Sequence, residues 1–259
     1  MKVALVGAGC EVLEPLVLEA GLSLVPAESG QQDVIITYGG DGTLLGTERD
    51  YPSLPKLAIR RHTNCRHCAI HKPEQVIRAL AAQRLEASTL PKLEAYTGDQ
   101  RLLGVNDIIL HNTLVSSGVR FLVWINGKRY RPGEIVGDGL IVATPFGSTA
   151  YYRSITQSVI HTGIGLAFNN TTEPINHLVL REDEEIQVRI TRGPGLLTAD
   201  NHPHPISLEC DDEVRIAIAP ESAHILMADS LRCPNCKKLR SPSEPSLDQA
   251  DFPRAVASR

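Results

Sequence analysis

Aromatic residues are scarce in this chain of 259 residues: four Phe, six Tyr and one Trp make up only 4% of it. Its core must therefore be built mainly from aliphatic side chains. Excess charge is also small, with a formal net charge of −4, so the basic character that accompanies general nucleic-acid binding is missing. Hydrophobic residues make up 42% of the chain, which is an ordinary share for a globular protein.

Long hydrophobic runs are missing as well. No stretch reaches the roughly 20 apolar residues that a membrane-spanning helix requires. The apolar stretch within residues 1–7 is short, and the charged Glu11 follows it closely, which does not match the layout of a signal peptide. We therefore expect a cytoplasmic protein that binds neither membranes nor nucleic acids.

A glycine-rich loop, Gly39-Gly40-Asp41-Gly42-Thr43, follows the apolar residues 34–36 and precedes two leucines. This order predicts a buried strand that ends in a glycine turn and opens into a helix. Glycines allow the backbone to approach a phosphate closely, and the start of a helix offers free amides. Asp41 is then either a general base or a metal anchor, or else the cap of a tight turn, for which Asp-Gly is common.

Two further stretches combine polar groups with strands. Residues 137–151 contain an apolar strand and then a turn of Pro, Gly and small hydroxyl residues, followed by Tyr151, whose ring can stack on a ligand. Asn106 and Asp107 interrupt the apolar residues 104–110. Their donors and acceptors suit the edge of an adenine and a ribose diol, although the pair taken alone fits a turn better.

Together these stretches resemble the NAD kinase family, whose signature is a GGDGT loop, an Asn-Glu or Asn-Asp pair and a DG-strand-TPxGSTAY segment, in this order. The resemblance covers residues 39–151. GGDGT also occurs in lipid kinases, whereas the segment TPFGSTAY is much more specific. The resemblance implies an α/β N-terminal domain and a mainly β C-terminal domain, a β-sandwich, with the final strand returning to the first domain.

The hydrophobic pattern agrees with this organisation. Residues 1–90 alternate short strands with helical stretches such as 73–84, which predicts a parallel sheet. Later residues form strands separated by turns, including a predicted hairpin at Asn126-Gly127. Further strands are expected at 178–180, 185–190 and 213–218. We expect an α/β domain of residues 1–92 with 220–240, a β domain of 93–219 and a disordered tail of 241–259.

The resemblance also implies a role for each matching residue. Asp41 is expected to take the proton from the adenosine-ribose 2′-hydroxyl of NAD. The expected donor-phosphate residues are Gly39, Gly40, Gly42 and Thr43. The expected NAD-binding residues are Asn106, Asp107, Asp138, Ser148, Thr149, Ala150, Tyr151 and Asp200. The resemblance implies ATP or another phosphoryl donor. Mg²⁺ or another divalent cation is the expected cofactor, because no Walker-type lysine follows the loop to neutralise phosphate charge. The family also implies a homo-oligomer, either a dimer or a tetramer.

This chain departs from the family at two places. Thr156 and Gln157 stand where paired glycines are usual, and Arg60 and Arg61 lie in a segment that has lost its glycines. The departures leave two alternatives open: a non-catalytic NAD(P)-binding regulator on the same scaffold, or a related kinase for a lipid or nucleoside. The presence of Asp41 argues against the regulator, and TPFGSTAY argues against a lipid kinase.

Four of the six cysteines form two Cys-x-x-Cys pairs, Cys65/Cys68 and Cys233/Cys236. Two such pairs form a tetrahedral zinc site when folding brings them together. If the final segment returns to the first domain, as the resemblance implies, it would bring the two pairs together. A redox dithiol or unconnected thiols are the alternatives, since a disulfide is disfavoured in the cytoplasm. We expect a structural Zn²⁺.

Overall fold

The computed structural model describes residues 1–61 and 72–227. The predicted zinc ligands Cys65, Cys68, Cys233 and Cys236 and the predicted tail lie outside the described residues. No helix in the described part of the chain has both the length and the apolar character of a membrane span. The α-helices of this part are α1 Glu14–Glu19, α2 Asp41–Asp50, α3 Pro73–Ala81 and α4 Tyr151–Thr156.

The β-strands fall into two sheets. The strands are β1 Lys2–Val6, β2 Ser23–Leu24, β3 Val34–Gly39, β4 Lys56–Arg60, β5 Ala87–Thr97, β6 Gln100–Gly104, β7 Asp107–Asn112, β8 Val119–Ile125, β9 Lys128–Arg129, β10 Ile135–Gly137, β11 Gly139–Ala143, β12 Ile164–Asn169, β13 Leu178–Leu180, β14 Ile186–Arg192, β15 Gly195–Ala199, β16 Ile206–Leu208 and β17 Glu213–Leu226.

The N-terminal part is the predicted α/β unit. Strands β4, β3, β1 and β2 lie side by side and run parallel. Val34, Ile35 and Ile36 are all buried, because a parallel strand is covered on both faces. Helix α3 buries Val76, Ile77 and Leu80, which the helical spacing places on one face. The carboxyl ends of β1, β3 and β4 therefore meet at one edge, where open α/β sheets bind ligands.

The later strands form a two-layer β structure around a common apolar core. In β8 the buried residues Val119, Phe121 and Val123 alternate with more exposed ones, as expected for a strand with one face on a core. The predicted hairpin is confirmed, since Asn126 and Gly127 both have positive φ, at 50° and 72°. The α/β plus mainly β fold class is thus confirmed.

Strand β17 joins the two parts. Its first half pairs antiparallel with β14, both halves pair antiparallel with β5, and its end also pairs parallel with β4 through Ile225 and Leu226. The pairing with β5 shifts register between Ile218 and Ser222, where Pro220 has no amide to donate. The prediction of a strand at 213–218 was therefore too short, because the proline interrupts the sequence pattern but not the strand.

Candidate active site

The glycine loop lies at the carboxyl end of β3 and opens into α2, as predicted. A side chain at Gly39 has no room, since its Cβ would lie 2.2 Å from Thr43 Oγ1. Gly40 lies open to its surroundings and precedes the first helical residue. The first turn of α2 thus presents backbone N–H groups at an uncrowded surface, which suits an anion.

Asp41 is exposed rather than buried, with 62% of its side chain accessible. Its Oδ1 accepts a hydrogen bond from Arg60 Nη2 at 2.7 Å. Arg60 is the last residue of β4 and is paired in register with Gly39, so the sheet brings its guanidinium to the glycine loop. This places a positive charge beside a phosphate-type loop that has no Walker lysine.

The turn that carries Asn106 and Asp107 is held together by Asp200. The Asp200 carboxylate accepts the amide of Val105 through Oδ2 at 2.8 Å, and the amides of Asn106 and Asp107 through Oδ1 at 2.7 and 3.1 Å. Asp200 itself has the left-handed φ of 49°. Burial raises the pKa of Asp200, and the three amide hydrogen bonds oppose that rise. The observed contacts of Asp200 therefore shape the turn.

Asn106 has a buried oxygen without a partner among the described residues, and Asp107 has a buried carboxyl group with a raised pKa. Asn106 is 8% exposed, and its Oδ1 has no hydrogen-bond partner among the described residues. Asp107 is 4% exposed, and burial, with a further contribution from the charge of Asp200, raises its pKa to about 7. Buried polar groups of this kind are typical of a binding site, where a ligand supplies the missing hydrogen-bond partners.

The segment after β11 packs directly on this turn. The Thr144 amide donates to Asn106 O at 2.9 Å, and a Cβ at Gly147 would lie 1.9 Å from the same oxygen, so only glycine fits there. Ser148 is fully buried. Its hydroxyl donates to the Pro145 carbonyl and accepts from an amide of the following loop. The Ser148 side chain therefore holds this segment and the following loop in shape.

Thr149 and Ala150 come next and differ from Ser148 in exposure. Thr149 is half-buried and Ala150 is exposed. Ala150 precedes α4, whose first residue is Tyr151. These two small residues, together with the half-buried Tyr151, are therefore the accessible part of the predicted adenine-lining segment.

Tyr151 and Asp138 form a second polar group next to Asp107. The Tyr151 hydroxyl accepts a hydrogen bond from Asn169 Nδ2 at 3.0 Å, and Asp138 Oδ2 accepts one from Asn170 Nδ2 at 2.9 Å. Burial raises the pKa of Tyr151, and the charges of Asp138 and Asp107 add to the effect. The three side chains thus lie close enough to act on one another.

Thr156 and Gln157 preserve a turn that glycine would make more easily. Gln157 ends α4 with φ at 58°, the left-handed conformation that glycine favours at a helix end. The Thr156 hydroxyl donates to the Tyr152 carbonyl at 3.0 Å and accepts the Ser158 amide at 3.1 Å. Gln157 thus adopts a conformation that glycine favours, and the Thr156 hydroxyl bonds to backbone groups on either side of it.

Asn201 connects the polar turn to the glycine loop. Its Nδ2 donates to Gly42 O at 2.9 Å, immediately beyond the Asp200 that holds Asn106 and Asp107. The glycine loop and the Asn106–Asp107 turn therefore border one site. Sequence reasoning did not find Asn201, whose only signal was its position next to Asp200.

The sequence predicts a metal site as well. Within residues 1–61 and 72–227, no group of three or more His, Cys, Asp or Glu side chains is placed to hold a metal ion. The four cysteines of the predicted zinc site fall outside this part of the chain, so the site stays a prediction.

The geometry defines a two-part site in which a phosphate-type loop faces a polar turn with unsatisfied groups. Residues 105–228 match the family model of the ATP-NAD kinase C-terminal domain. A NAD kinase of Gemmatimonas aurantiaca is 30% identical over 210 residues, covering 75% of this chain and 72% of that protein. This chain therefore belongs to the NAD kinase family.

Other relatives agree. A NAD kinase of Lactobacillus delbrueckii subsp. bulgaricus is 30% identical over 183 residues, covering 65% of this chain and 66% of that protein, so the match spans about two thirds of its length. The crystal structure of a NAD kinase from Archaeoglobus fulgidus in complex with ATP superposes with a TM-score of 0.73 at 19% identity, covering 89% of this chain and 95% of that one. The structural likeness supports the fold.

Proposed function

We propose that this chain transfers a phosphoryl group from ATP to the adenosine-ribose 2′-hydroxyl of NAD, which produces NADP. Membership of the NAD kinase family supports the reaction. One observation carries the assignment of the site: the Asp200–Asn201 turn contacts both the loop that bears Asp41 and the turn that bears the unsatisfied Asn106. An acceptor bound at Asn106 would thus lie beside the candidate base.

The acceptor half of the site has the groups that NAD needs. The free Oδ1 of Asn106 would accept a hydrogen bond from the adenine amino group, and Asp107 would accept hydroxyl protons of the ribose. Thr149 and Ala150 would line the adenine pocket, while Ser148 and Asp200 would keep the backbone in place. Tyr151 would line the same adenine pocket, and Asp138 would contact the rest of the dinucleotide.

In the donor half, Gly39, Gly40, Gly42 and Thr43 would cradle the phosphates of ATP at the start of α2. ATP as the donor is supported by the ATP complex of the Archaeoglobus relative. Mg²⁺ fits this site because it usually arrives on substrate phosphates and keeps several of its waters, so the exposed Asp41 would remain available as the base. Mg²⁺ would neutralise phosphate charge during the transfer.

Asp41 would take the hydroxyl proton, and Arg60 would add positive charge beside the phosphates. Because Arg60 donates a hydrogen bond to the Asp41 carboxylate, donor phosphates would compete for that guanidinium. Binding of ATP would thus free the Asp41 carboxylate for the acceptor hydroxyl.

A structural Zn²⁺ on the four paired cysteines is also part of the proposal. Strands β4 and β17 are neighbours and run parallel, with Leu226 opposite Leu57. Cys65 follows the end of β4 by five residues, and Cys233 follows the end of β17 by seven. Both Cys-x-x-Cys pairs thus follow adjacent strands that point the same way, which supports a shared site.

We also propose that the protein is a cytoplasmic homo-oligomer. Each chain would consist of an α/β unit of residues 1–92 and 220–240 and a β unit of residues 93–219. The separate apolar cores around β3 and around β8 support this division.

The proposed function is tested with purified protein, ATP, Mg²⁺ and NAD, comparing the parent with Asp41→Asn. Loss of the base should lower kcat by about 10²-fold or more with little change in fold. Asp50→Asn is the matched control, because Asp50 is an exposed carboxylate at the other end of α2. Equal turnover in Asp41→Asn and the parent would exclude the base role, and lack of turnover in the parent would favour the non-catalytic alternative.

A further inference from the structure

Helix α2, which begins with Asp41, carries a buried charge seven residues further along. Glu48 forms ion pairs with Lys56 through Oε2 and with Lys92 through Oε1. All three side chains are at most 4% exposed. Lys56 belongs to β4 and Lys92 belongs to β5, so the pairs attach one helix to two different strands.

Lys56 and Lys92 share the single carboxylate of Glu48; burial and the charge of Lys92 lower the pKa of Lys56, and Glu48 opposes this. An uncompensated buried charge is costly, so a further anion is expected nearby. Asp200 meets this requirement: Lys92, Glu48 and Asp200 line the same cavity of about 220 Å³. The charge of Lys92 also favours the ionised form of Asp200 and so lowers its pKa against the larger effect of burial.

A second contact ties the same helix to the same turn. Asn201 donates to Gly42 O at 2.9 Å, as described above, and its Oδ1 lies 3.5 Å from Arg49 Nη1 on α2. The helix is therefore tied directly to the Asp200–Asn201 turn by the Asn201 side chain. The buried Lys92, which is paired with Glu48 of the helix, adds an electrostatic link because its charge acts on Asp200 across the shared cavity.

We propose that Glu48, Lys92 and Asn201 are positioning residues for phosphoryl transfer, which fix the Asp41 helix relative to the Asn106–Asp107 turn. Asp200 carries the alignment onward, because it binds the backbone amides of that turn. The Asn201 hydrogen bonds, the Glu48–Lys92 ion pair and the charge of Lys92 acting on Asp200 thereby link the base to the acceptor site. This inference rests on the proposed function.

Alignment affects the two kinetic constants differently. Neither Lys92 nor Asn201 would contact a substrate, so their loss should leave KM for ATP and NAD within about threefold of the parent values. A displacement of about 1 Å between reacting groups can cost about 10²-fold in rate. We therefore expect kcat of Lys92→Met to fall by about 10- to 100-fold and kcat of Asn201→Ala to fall by about 3- to 10-fold.

The test measures kcat and both KM values for these two variants, together with thermal midpoints. Ile77→Ala is the control: Ile77 is fully buried in α3, in the same half of the protein but outside the polar contacts, so it should lose stability and keep kcat within about twofold. Rates are taken well below every midpoint. Asn201 is exposed, so its variant should fold even if Lys92→Met does not.

A selective fall in kcat for Lys92→Met and Asn201→Ala, with a double variant less impaired than the product of the two effects, supports the inference. If Lys92→Met does not fold, the fall in Asn201→Ala alone decides. If the parent is active and the two variants keep a normal kcat, or if kcat falls equally in Ile77→Ala, the inference is overturned and the proposed function stands. A parent without turnover overturns the proposed function and the inference with it.

Discussion

Replacing Asp107 with asparagine should make the protein more stable at alkaline pH while it weakens NAD binding. The Asp107 carboxyl is buried, and its pKa of about 7 lies well above its ordinary value of 3.8. Between these two values the folded protein holds a proton that the unfolded chain releases. Stability therefore falls as the pH rises from about 4 to about 7, because folding takes up a proton in this range and proton uptake becomes less favourable as the pH rises.

The size of the effect follows from the difference between the two pKa values, which is about 3 units. At 1.36 kcal/mol per unit, the ionised carboxylate costs up to about 4 kcal/mol of folding free energy above pH 7. Asparagine has the same shape and no charge, so Asp107→Asn should recover much of this. The recovered free energy should shrink by about 1.4 kcal/mol for each pH unit below 7.

Urea unfolding of the parent and Asp107→Asn, measured at each pH unit from about 5 to about 8, gives the difference directly. Calorimetric titration with NAD above neutral pH should show a loss of about 1.5–3 kcal/mol in binding, as expected when a charged acceptor becomes a neutral one. A variant that is less stable than the parent at high pH, or a stability difference that does not change with pH, would refute the reasoning.

Three further predictions concern single side chains. Asn106→Ala should weaken NAD binding by about 1–3 kcal/mol and leave ATP binding nearly unchanged in calorimetry. Equal losses for both ligands would mean that Asn106 and Asp107 only form a structural turn. Arg60→Gln should raise KM for ATP more than KM for NAD, because it removes positive charge from the phosphate loop, and Arg78→Gln on the exposed face of α3 is its control. Cys233→Ser should release one Zn²⁺ per chain and lower the melting temperature, whereas the exposed Cys210→Ser should keep the metal; zinc-free parent protein would contradict this.

The sequence predicted best what depends on neighbouring residues. The strand, glycine turn and helix around Asp41 follow from apolar residues and glycines within a few positions, and the Asn126–Gly127 hairpin follows from two residues. The ion pair of Asp41 with Arg60 was missed because it depends on the pairing of β3 with β4. Local sequence patterns do not show which residues of β3 and β4 lie opposite each other.

The same limit applies to the acceptor side of the site. Asp200 binds amides that lie 93 to 95 positions earlier, and Asn201 reaches Gly42 across 159 positions. Ser148 was expected to line a pocket, but its hydroxyl is bonded within its own segment and the following loop. A serine in a polar segment has the same sequence signal whether it faces a ligand or holds a loop, so only the packing distinguishes the two.

The most direct test of the account is the identity of the phosphorylated product. The parent protein is incubated with NAD, ATP and Mg²⁺, and the product is analysed by phosphorus NMR and by an enzyme that accepts NADP and not NAD. The account predicts a single new phosphate ester on the adenosine-ribose 2′-hydroxyl. A phosphate on any other hydroxyl, or ATP hydrolysis without transfer to NAD, would contradict it.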